Sequence, residues 1–319
     1  MNGGAAVNGG PAMNGGPAVS PEPPVTIASA RPFGDRLEGV FAAQGHLCVG
    51  IDPHAFLLAD WDLPDTAAGA ESFGRMVVAA AAGSVGIIKP QIAFFERFGS
   101  RGYLALERVL QDAREAGLLV IADVKRGDLG TSVDAYGAGW LGAGSPLEVD
   151  AITVSAYMGL GSLDGLSDLA QRSGKGLFVL AATSNPEAAE IQRAVVAQGP
   201  HAGKSVARTI LEQVAERNMA AAASASNGSL GYLGVVLGAT LHLGDFGINT
   251  TDVAARGLTP VLAPGFGHQG GNISNLVGLY GGYSKSVIVS ESRSVLAAGP
   301  DRLAESIVRR VAEVGAVRG

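Results

Sequence analysis

Short apolar runs recur along the body of this chain, and each is followed by a longer stretch with helical character. The runs are continuous and rich in β-branched residues, which favours strands buried on both faces, as in a parallel sheet. Parallel strands need crossover connections, and the intervening helical stretches can supply them. The predicted strands are 47–51, 84–88, 118–122, 150–154, 177–182, 234–238, 260–263 and 285–289.

The number of strand–helix units decides between two architectures of the α/β class. Eight units predict a closed (β/α)8 barrel, the TIM barrel, whereas six or seven would favour an open doubly wound sheet. Helical spacing is clear in 102–116 and 302–313, and Gly117 stands where the first of these helices should stop. The fifth unit is irregular, because 187–219 holds two helical stretches separated by the glycine-containing segment 199–203. We therefore predict a barrel with an insertion in its fifth unit.

The barrel is predicted to occupy residues 31–319, preceded by a segment of different composition. Residues 1–30 repeat Asn-Gly-Gly, become proline-rich and carry a single charged side chain, Glu22. Such a segment has too few apolar side chains to build a core, so we expect a disordered extension. It also lacks the cationic start of a signal or transit peptide.

The net charge limits the classes of ligand that the protein can bind, and the cysteine content indicates its compartment. The formal net charge is −6, which disfavours nucleic acid, since phosphate neutralisation needs a basic face. A small anionic ligand, which needs only one cationic pocket, is still compatible. The uncharged stretch 218–244 is interrupted by Ser, Asn and Gly, so we expect a helix end, a loop and a strand, not a membrane span. The single cysteine, Cys48, lies in the first strand and is interpreted as a small buried hydrophobe in a reducing cytoplasm, with a catalytic thiol as the alternative.

Ionisable side chains concentrate at one end of the predicted strands. Asp52 ends strand one, Lys89 ends strand two, and Asp123 with Lys125 ends strand three. Functional residues of such barrels lie at the C-terminal strand ends, whereas ordinary solvated charges would fall at both ends. A site is therefore the better interpretation. Further polar or glycine-rich segments follow strands five, seven and eight: Thr183-Ser184-Asn185, Gly265 to Gly271, and Arg293.

The segment Asp-Val-Lys-Arg-Gly-Asp at 123–128 carries the densest charge. Side chains alternate along a strand, so Asp123 and Lys125 should project to the same side. Gly127 permits a turn that could carry Asp128 to the barrel mouth or to a neighbouring subunit. Carboxylates around a lysine favour its ammonium form, whereas a Schiff-base lysine needs an apolar or cationic setting. Lys125 is therefore predicted to be a proton donor.

The glycine-rich loop 264–271 predicts a phosphate site. Its backbone N–H groups can converge on an anion, a following helix N-terminus would add positive partial charge, and Arg293 supplies a forked cation. Loops after strands seven and eight are frequent phosphate sites in these barrels. The spacing G-x-G-x-x-G at 265–270 also matches a dinucleotide fingerprint, with Glu291 placed for a ribose contact. Its position at the seventh strand disfavours that alternative.

Two weaker patterns predict structure and not chemistry. A second G-x-G-x-x-G match at 137–142 follows helical sequence, which favours close packing or a loop. The histidines show no metal-ligand spacing, so no metal site is expected. They are His46, His54, His201, His242 and His268, the last of these inside the glycine-rich loop.

Asp123-x-Lys125-x-x-Asp128, followed by Leu129-Gly130-Thr131, resembles the signature of the orotidine 5′-phosphate decarboxylases. The first motif alone is shared with related sugar-phosphate decarboxylases, so the specificity comes from several motifs in one order. Serine and glutamate surround Arg293, where the family commonly has Gly-Arg. The longer block at 88–96 and the block at 182–187 are similar to the bacterial type 2 subfamily. The matching blocks, which extend the resemblance over about 33–312, are 50–53, 88–96, 123–131, 182–187, 264–265 with 269–271, and 292–294.

The resemblance implies a cofactor-free and metal-free cytoplasmic homodimer that converts orotidine 5′-monophosphate to UMP and CO2, the last step of de novo pyrimidine biosynthesis. It implies that Lys125 protonates C6 of the pyrimidine within an alternating charge array of Lys89, Asp123, Lys125 and Asp128. Asp128 and Thr131 would reach the partner's site. The other implied contacts are Asp52 and Lys89 with ribose hydroxyls, Ser184 with the pyrimidine edge, Gln269 and Arg293 with the phosphate, and Gly270 with the substrate.

Two other hypotheses belong to different classes. One is a metal-dependent sugar-phosphate decarboxylase or aldolase on the same barrel, in which Asp123 and another carboxylate hold Mg²⁺. The other is an inactive nucleotide-binding barrel that serves as a sensor or scaffold. A binding module has no need for a buried acid array, so the combination of Asp52, Lys89, Asp123, Lys125 and Asp128 disfavours it.

Overall fold

A computed structural model describes Met1 and residues 31–223, 230–251 and 259–318. Within those residues, parallel strands pair in chain order and the eighth pairs with the first, which closes a barrel. The predicted (β/α)8 fold is confirmed. The predicted disordered extension lies outside the described residues except for Met1. The strands are β1 Leu47–Ile51, β2 Ile87–Pro90, β3 Leu119–Arg126, β4 Ala151–Val154, β5 Gly176–Ala182, β6 Leu233–Leu237, β7 Val261–Pro264 and β8 Val287–Glu291.

Helices connect the strands, and their apolar faces are buried. In α5, the buried residues include Leu106, Val109 and Leu110, which matches the predicted amphipathic pattern. The chain leaves this helix at Gly117, whose φ of +71° suits glycine. The helices are α1 Phe33–Gln44, α2 Ala55–Asp60, α3 Ala67–Ala81, α4 Ala93–Glu96, α5 Ser100–Glu115, α6 Gly130–Leu141, α7 Asp164–Arg172, α8 Ala189–Gln192, α9 Val206–Ala223, α10 Leu276–Tyr280, α11 Arg293–Leu296 and α12 Leu303–Ala316.

Helix α1 closes the N-terminal end of the barrel. Phe33 packs edge-on against Phe178, with ring centroids 6.1 Å apart, and joins a buried cluster inside the barrel. A Cβ at Gly176 would lie 2.6 Å from the Phe33 ring, so this close approach requires glycine. Cys48 belongs to the same cluster, and burial raises the pKa of its thiol to about 12. The interpretation of Cys48 as a buried hydrophobe is therefore confirmed over the catalytic thiol.

The predicted limits of strands two and three were wrong at their C-terminal ends. β2 continues through Lys89, which pairs with Gly50 of β1, and β3 continues through Asp123 and Lys125 to Arg126. The prediction ended each strand at its last apolar residue. Charged side chains that line an interior site can remain part of the strand ladder, because the backbone pairing does not depend on them.

The irregular fifth unit is confirmed. After β5, a 3₁₀ turn and α8 lead to a short excursion in which Val195 and Ser205 form an antiparallel bridge, and α9 follows. The stretch 218–244 contains the end of α9 and all of β6, while 224–229 lie outside the described residues. Among the helices of the described residues, none is long and apolar enough to cross a membrane.

Candidate active site

A chain of alternating charges lies at the C-terminal end of β2 and β3. Lys89 Nζ donates to Asp123 Oδ2 at 2.9 Å, and Lys125 Nζ donates to Asp123 Oδ1 at 2.5 Å. Lys89 and Asp123 are buried, whereas the side chain of Lys125 is 45% exposed. Each carboxylate oxygen of Asp123 is thus paired with an ammonium group, one of them buried and the other accessible from the cavity.

Electrostatics keep the buried members of this chain charged. Burial opposes ionisation of Asp123, but the Lys89 and Lys125 charges outweigh it and hold the pKa of Asp123 well below its usual range. Burial likewise opposes the Lys89 ammonium, but the carboxylates of Asp123 and Asp52 outweigh it and raise the pKa of Lys89. The site therefore presents fixed charges at neutral pH.

The backbone at Lys125 departs from the regular strand. Its φ is +47°, in the left-handed region that non-glycine residues seldom occupy, and the β3–β4 register shifts between Ala122 and Arg126. The shared orientation of Asp123 and Lys125 is confirmed, but simple strand alternation does not produce it. Thr153 of β4 stabilises this conformation, because its Oγ1 accepts from Lys125 N at 3.0 Å and donates to Asp123 Oδ1 at 2.9 Å.

A cavity of about 460 Å³ opens over these charges. Its volume is in the range of small-molecule sites. Asp52 is half-buried at its edge, and its Oδ1 has no hydrogen-bond partner among the described residues. Strand ends and loops all around the barrel supply the lining. The predicted site residues in the lining are Asp52, Lys89, Asp123, Lys125, Ser184, Gln269 and Arg293.

Three predicted residues are not among the described residues that line this cavity: Asp128, Thr131 and Gly270. Asp128 is half-buried and its Oδ1 accepts from Leu129 N at 2.8 Å, while Thr131 is exposed at the start of α6. Both follow the β3 charge segment closely, but in a single chain they do not complete the charge array. Gly270 lies exposed in the turn after β7.

Sequence reasoning missed two residues that contact the Asp123 carboxylate or its neighbours. Gln91 Nε2 donates to Asp123 Oδ2 at 3.3 Å, and buried Thr153 bonds both Asp123 and Lys125. Thr153 is a polar residue between the apolar residues Ile152 and Val154 of the predicted strand, which was an available signal. His54 and Phe94 also line the cavity, with ring centroids 4.2 Å apart. Their proximity could not be inferred from spacing in the chain.

The glycine-rich loop after β7 has the expected backbone freedom, and the predicted helix follows it after a further 3₁₀ turn at Ile273–Asn275. Gly265, Gly267 and Gly270 have φ values of +113°, +71° and +94°, which only glycine adopts readily. These conformations interrupt helical backbone, so the loop forms a 3₁₀ turn at Gly267–Gln269, and α10 begins at Leu276. That the start of this following helix faces a bound anion stays a prediction.

The dinucleotide alternative was also wrong. The carboxylate of Glu291 is buried and is bonded by Arg310 of α12 and by Ser294 Oγ, which donates to its Oε2 at 2.6 Å. Because both of its oxygens already accept hydrogen bonds from protein side chains, this carboxylate is not available to a ribose hydroxyl. The second G-x-G-x-x-G match is a packing site, as predicted, because a Cβ at Gly137 would lie 2.7 Å from Leu166.

Comparisons with known proteins agree with this geometry. Residues 45–306 match the family described as orotidine 5′-phosphate decarboxylase / HUMPS. The chain belongs to the orotidine 5′-phosphate decarboxylase / HUMPS family. It is 49% identical to the orotidine 5′-phosphate decarboxylase of Streptomyces coelicolor over 270 residues, covering 85% of this chain and 91% of that protein. The resemblance inferred from the motifs is confirmed, and with it the assignment to the carboxy-lyases that make UMP.

Two further relatives extend the agreement. The orotidine 5′-phosphate decarboxylase of a Nocardioides species is 48% identical over 279 residues, covering 87% of this chain and 97% of that protein. A crystal structure from Streptomyces avermitilis, assigned to the same enzyme, superposes with a TM-score of 0.82 at 44% identity and covers 92% of this chain and 98% of that one. These relatives are bacterial, in agreement with the bacterial subfamily that the sequence blocks predicted.

Proposed function

We propose that the cavity binds orotidine 5′-monophosphate and that Lys125 protonates C6 as CO2 leaves. The observation that carries this proposal is the Lys125 ammonium, paired with Asp123 at 2.5 Å and lining the cavity. The C6–carboxylate bond breaks, its electron pair stays on C6, and a proton from Lys125 Nζ forms the new C6–H bond. The neutral amine then regains a proton from water.

The fixed charges of Lys89, Asp123 and Lys125 suit this decarboxylation. An ammonium already oriented at the reacting carbon stabilises developing negative charge without reorganisation during the step. Lys89 and Thr153 hold the Asp123 carboxylate, and Asp123 in turn holds Lys125. A substrate carboxylate placed beside Asp123 would also meet like-charge repulsion, which its loss as CO2 relieves.

The rest of the cavity supports the proposed substrate contacts. The unpartnered Oδ1 of Asp52 and the ammonium of Lys89 are suited to ribose hydroxyls, and Ser184 to the pyrimidine edge. Gln269 and Arg293 lie on the β7 and β8 loops, the usual phosphate location in such barrels. Gly270, which follows Gln269 in the β7 loop, is assigned to substrate binding with it. Phosphate binding remote from C6 would orient the ring for the chemical step.

We also propose that the protein is a cytoplasmic homodimer in which each active site contains residues from both subunits. Asp128 and Thr131 lie outside the lining contributed by their own chain, so the proposal assigns them to the partner's cavity. Large apolar side chains near them are exposed, as is typical of a surface that another subunit covers. The exposed side chains are Leu129, Tyr136, Tyr157 and Met158, at 58%, 37%, 81% and 46% exposure.

The metal-dependent alternative makes a different use of Asp123. Both carboxylate oxygens of Asp123 accept from ammonium groups, so a divalent cation would have to displace Lys89 or Lys125. One measurement distinguishes the two hypotheses: the rate at which the purified protein consumes orotidine 5′-monophosphate with and without EDTA. We expect equal rates. A rate that EDTA abolishes and Mg²⁺ restores would overturn the proposal in favour of the metal-dependent enzyme.

A further inference from the structure

A buried ion pair lies behind the β7 and β8 loops, and of its two members Glu291 lines the main cavity whereas Arg310 does not. Glu291, the last residue of β8, has a side chain with 0% exposure, and Arg310 of α12 has one with 15% exposure. Arg310 Nε donates to Glu291 Oε1 at 2.8 Å, and Nη2 donates to the same oxygen. Removing one partner from such a pair leaves a buried charge without compensation, so the pair resists rearrangement.

The second oxygen of Glu291 connects this pair to both loops. Ser294 Oγ donates to Glu291 Oε2 at 2.6 Å, and Ser294 is the neighbour of Arg293 in α11. Across from it stands Gly267 of the β7 loop, where an added Cβ would lie 2.8 Å from Ser294 Cβ and 3.1 Å from Glu291 Oε2. The Glu291 carboxylate thus accepts a hydrogen bond from the segment that carries Arg293 and lies close to Gly267 of the loop that carries Gln269.

We infer that Arg310 and Glu291 are positioning residues that fix these two loops in the geometry that grips the substrate's 5′-phosphate. The inference deepens the function proposed above and rests on it. Arg310 is absent from the described residues that line the main cavity, so it acts through Glu291 and Ser294. Because Arg310 also donates to Glu313 Oε2 at 2.5 Å, its guanidinium is held between two carboxylates.

This arrangement predicts a loss that is selective for the phosphate. A loosened Arg293 segment would weaken the charge-assisted contact with phosphate, while the hydrogen bonds of Asp123 with Lys89 and Lys125 at the ends of β2 and β3 stay intact. The KM for orotidine 5′-monophosphate should rise about tenfold with kcat little changed, and competitive inhibition by UMP should weaken about tenfold more than inhibition by uridine.

The test compares Arg310→Met, Arg310→Lys and Ser294→Ala with the wild-type protein. Arg309→Met is the matched control, because Arg309 neighbours Arg310, is 69% exposed and also approaches Glu313. Arg310→Lys, which keeps the charge but not the paired N–H donors, should restore part of the loss. Ser294→Ala removes the link to the loop and leaves the ion pair in place. Because Ser294 also lines the cavity, Arg310→Lys decides the matter if Arg310→Met does not fold.

The outcomes separate this inference from the proposed function. Wild-type protein that consumes no orotidine 5′-monophosphate would contradict the proposed function itself. An active wild type in which Ser294→Ala and the folded Arg310 variants keep their KM would overturn the positioning role. Equal weakening of UMP and uridine would overturn it too, because general disorder of the site would affect both ligands.

Discussion

The Thr153 hydroxyl joins the backbone and the side-chain chemistry of Lys125. Thr153 Oγ1 accepts from the Lys125 backbone N–H at 3.0 Å and donates to Asp123 Oδ1 at 2.9 Å, the oxygen that pairs with Lys125 Nζ. The hydroxyl therefore supports a left-handed conformation and orients a carboxylate at once. Residues in sparsely populated conformations need such support, and they concentrate at functional sites.

Thr153→Val tests this support. Valine has nearly the same shape but leaves the Lys125 N–H and Asp123 Oδ1 each without one partner. We expect kcat to fall about tenfold, roughly the effect of one hydrogen bond at the transition state, with the protein still folded. Thr153→Ser keeps the hydroxyl and should retain most of the activity. Steady-state kinetics check this, and a valine variant as active as the serine variant would contradict it.

Asp123→Asn should destabilise the fold. The Lys89 ammonium, only 6% exposed, would lose its main counter-charge, and breaking a buried pair in this way costs roughly 3 kcal/mol. Asp65→Asn is the control, since the pair of Asp65 with Arg97 is exposed and its loss should change stability by less than about 1 kcal/mol. Urea unfolding measures both. Equal losses would mean that burial of Lys89 does not govern the effect.

His46 should make stability depend on pH. Burial and the charge of Arg318 lower the pKa of His46 from 6.5 to about 4, and its ring stacks on Phe41 at 3.8 Å. As pH falls below 6.5 the unfolded chain takes up a proton that the folded state refuses, so stability falls until about pH 4. Allowing for partial exposure, the loss is about 2 kcal/mol.

The check is urea unfolding at pH 7 and pH 4.5. His46→Gln should lose stability less steeply than the wild type over this interval, because glutamine does not titrate. His242→Gln is the control, since the His242 side chain is 81% exposed, and it should follow the wild type. If His46→Gln also follows the wild type, His46 is not the group responsible.

The fold was predictable from the sequence because the strands of a parallel barrel are buried on both faces and therefore appear as continuous apolar runs. Hydrophobic patterning cannot distinguish a charge inside the barrel from a charge in a loop. The predicted strands two and three therefore end before their charged residues. Lys89 shows the limit: its neighbours Ile88 and Pro90 are buried with it, and only the tertiary structure supplies the Asp123 carboxylate that stabilises its charge.

Contacts between residues far apart in the sequence could not be predicted for the same reason. Glu291 and Arg310 lie 19 residues apart, and no local pattern indicates that Arg310 turns its guanidinium towards the end of β8. The left-handed φ of Lys125 was likewise unpredictable, because lysine has no preference for that region. Thr153, in contrast, could have been recognised as a lone polar residue in an apolar run.

Shared active sites can be tested by mixing inactive subunits. Lys125→Ala and Asp128→Ala should each be nearly inactive alone. If Asp128 serves the partner's site, one site of each mixed dimer combines two intact contributions, and random mixing restores roughly a quarter of the wild-type activity. Subunit exchange is verified with two differently tagged chains. Exchange without recovery would show that Asp128 acts in its own chain, and an active Asp128→Ala variant would show that it has no role in the reaction.

The most direct test of the account is the decarboxylation of orotidine 5′-monophosphate by wild-type protein and by Lys125→Ala, followed by ultraviolet absorbance. Loss of a general acid typically costs 10² to 10⁴ in rate. We expect the variant to lose about 10³-fold or more in kcat while it still binds UMP, since Asp52, Gln269 and Arg293 remain in the cavity lining. A variant that turns over at the wild-type rate would contradict the assignment of Lys125 as the acid.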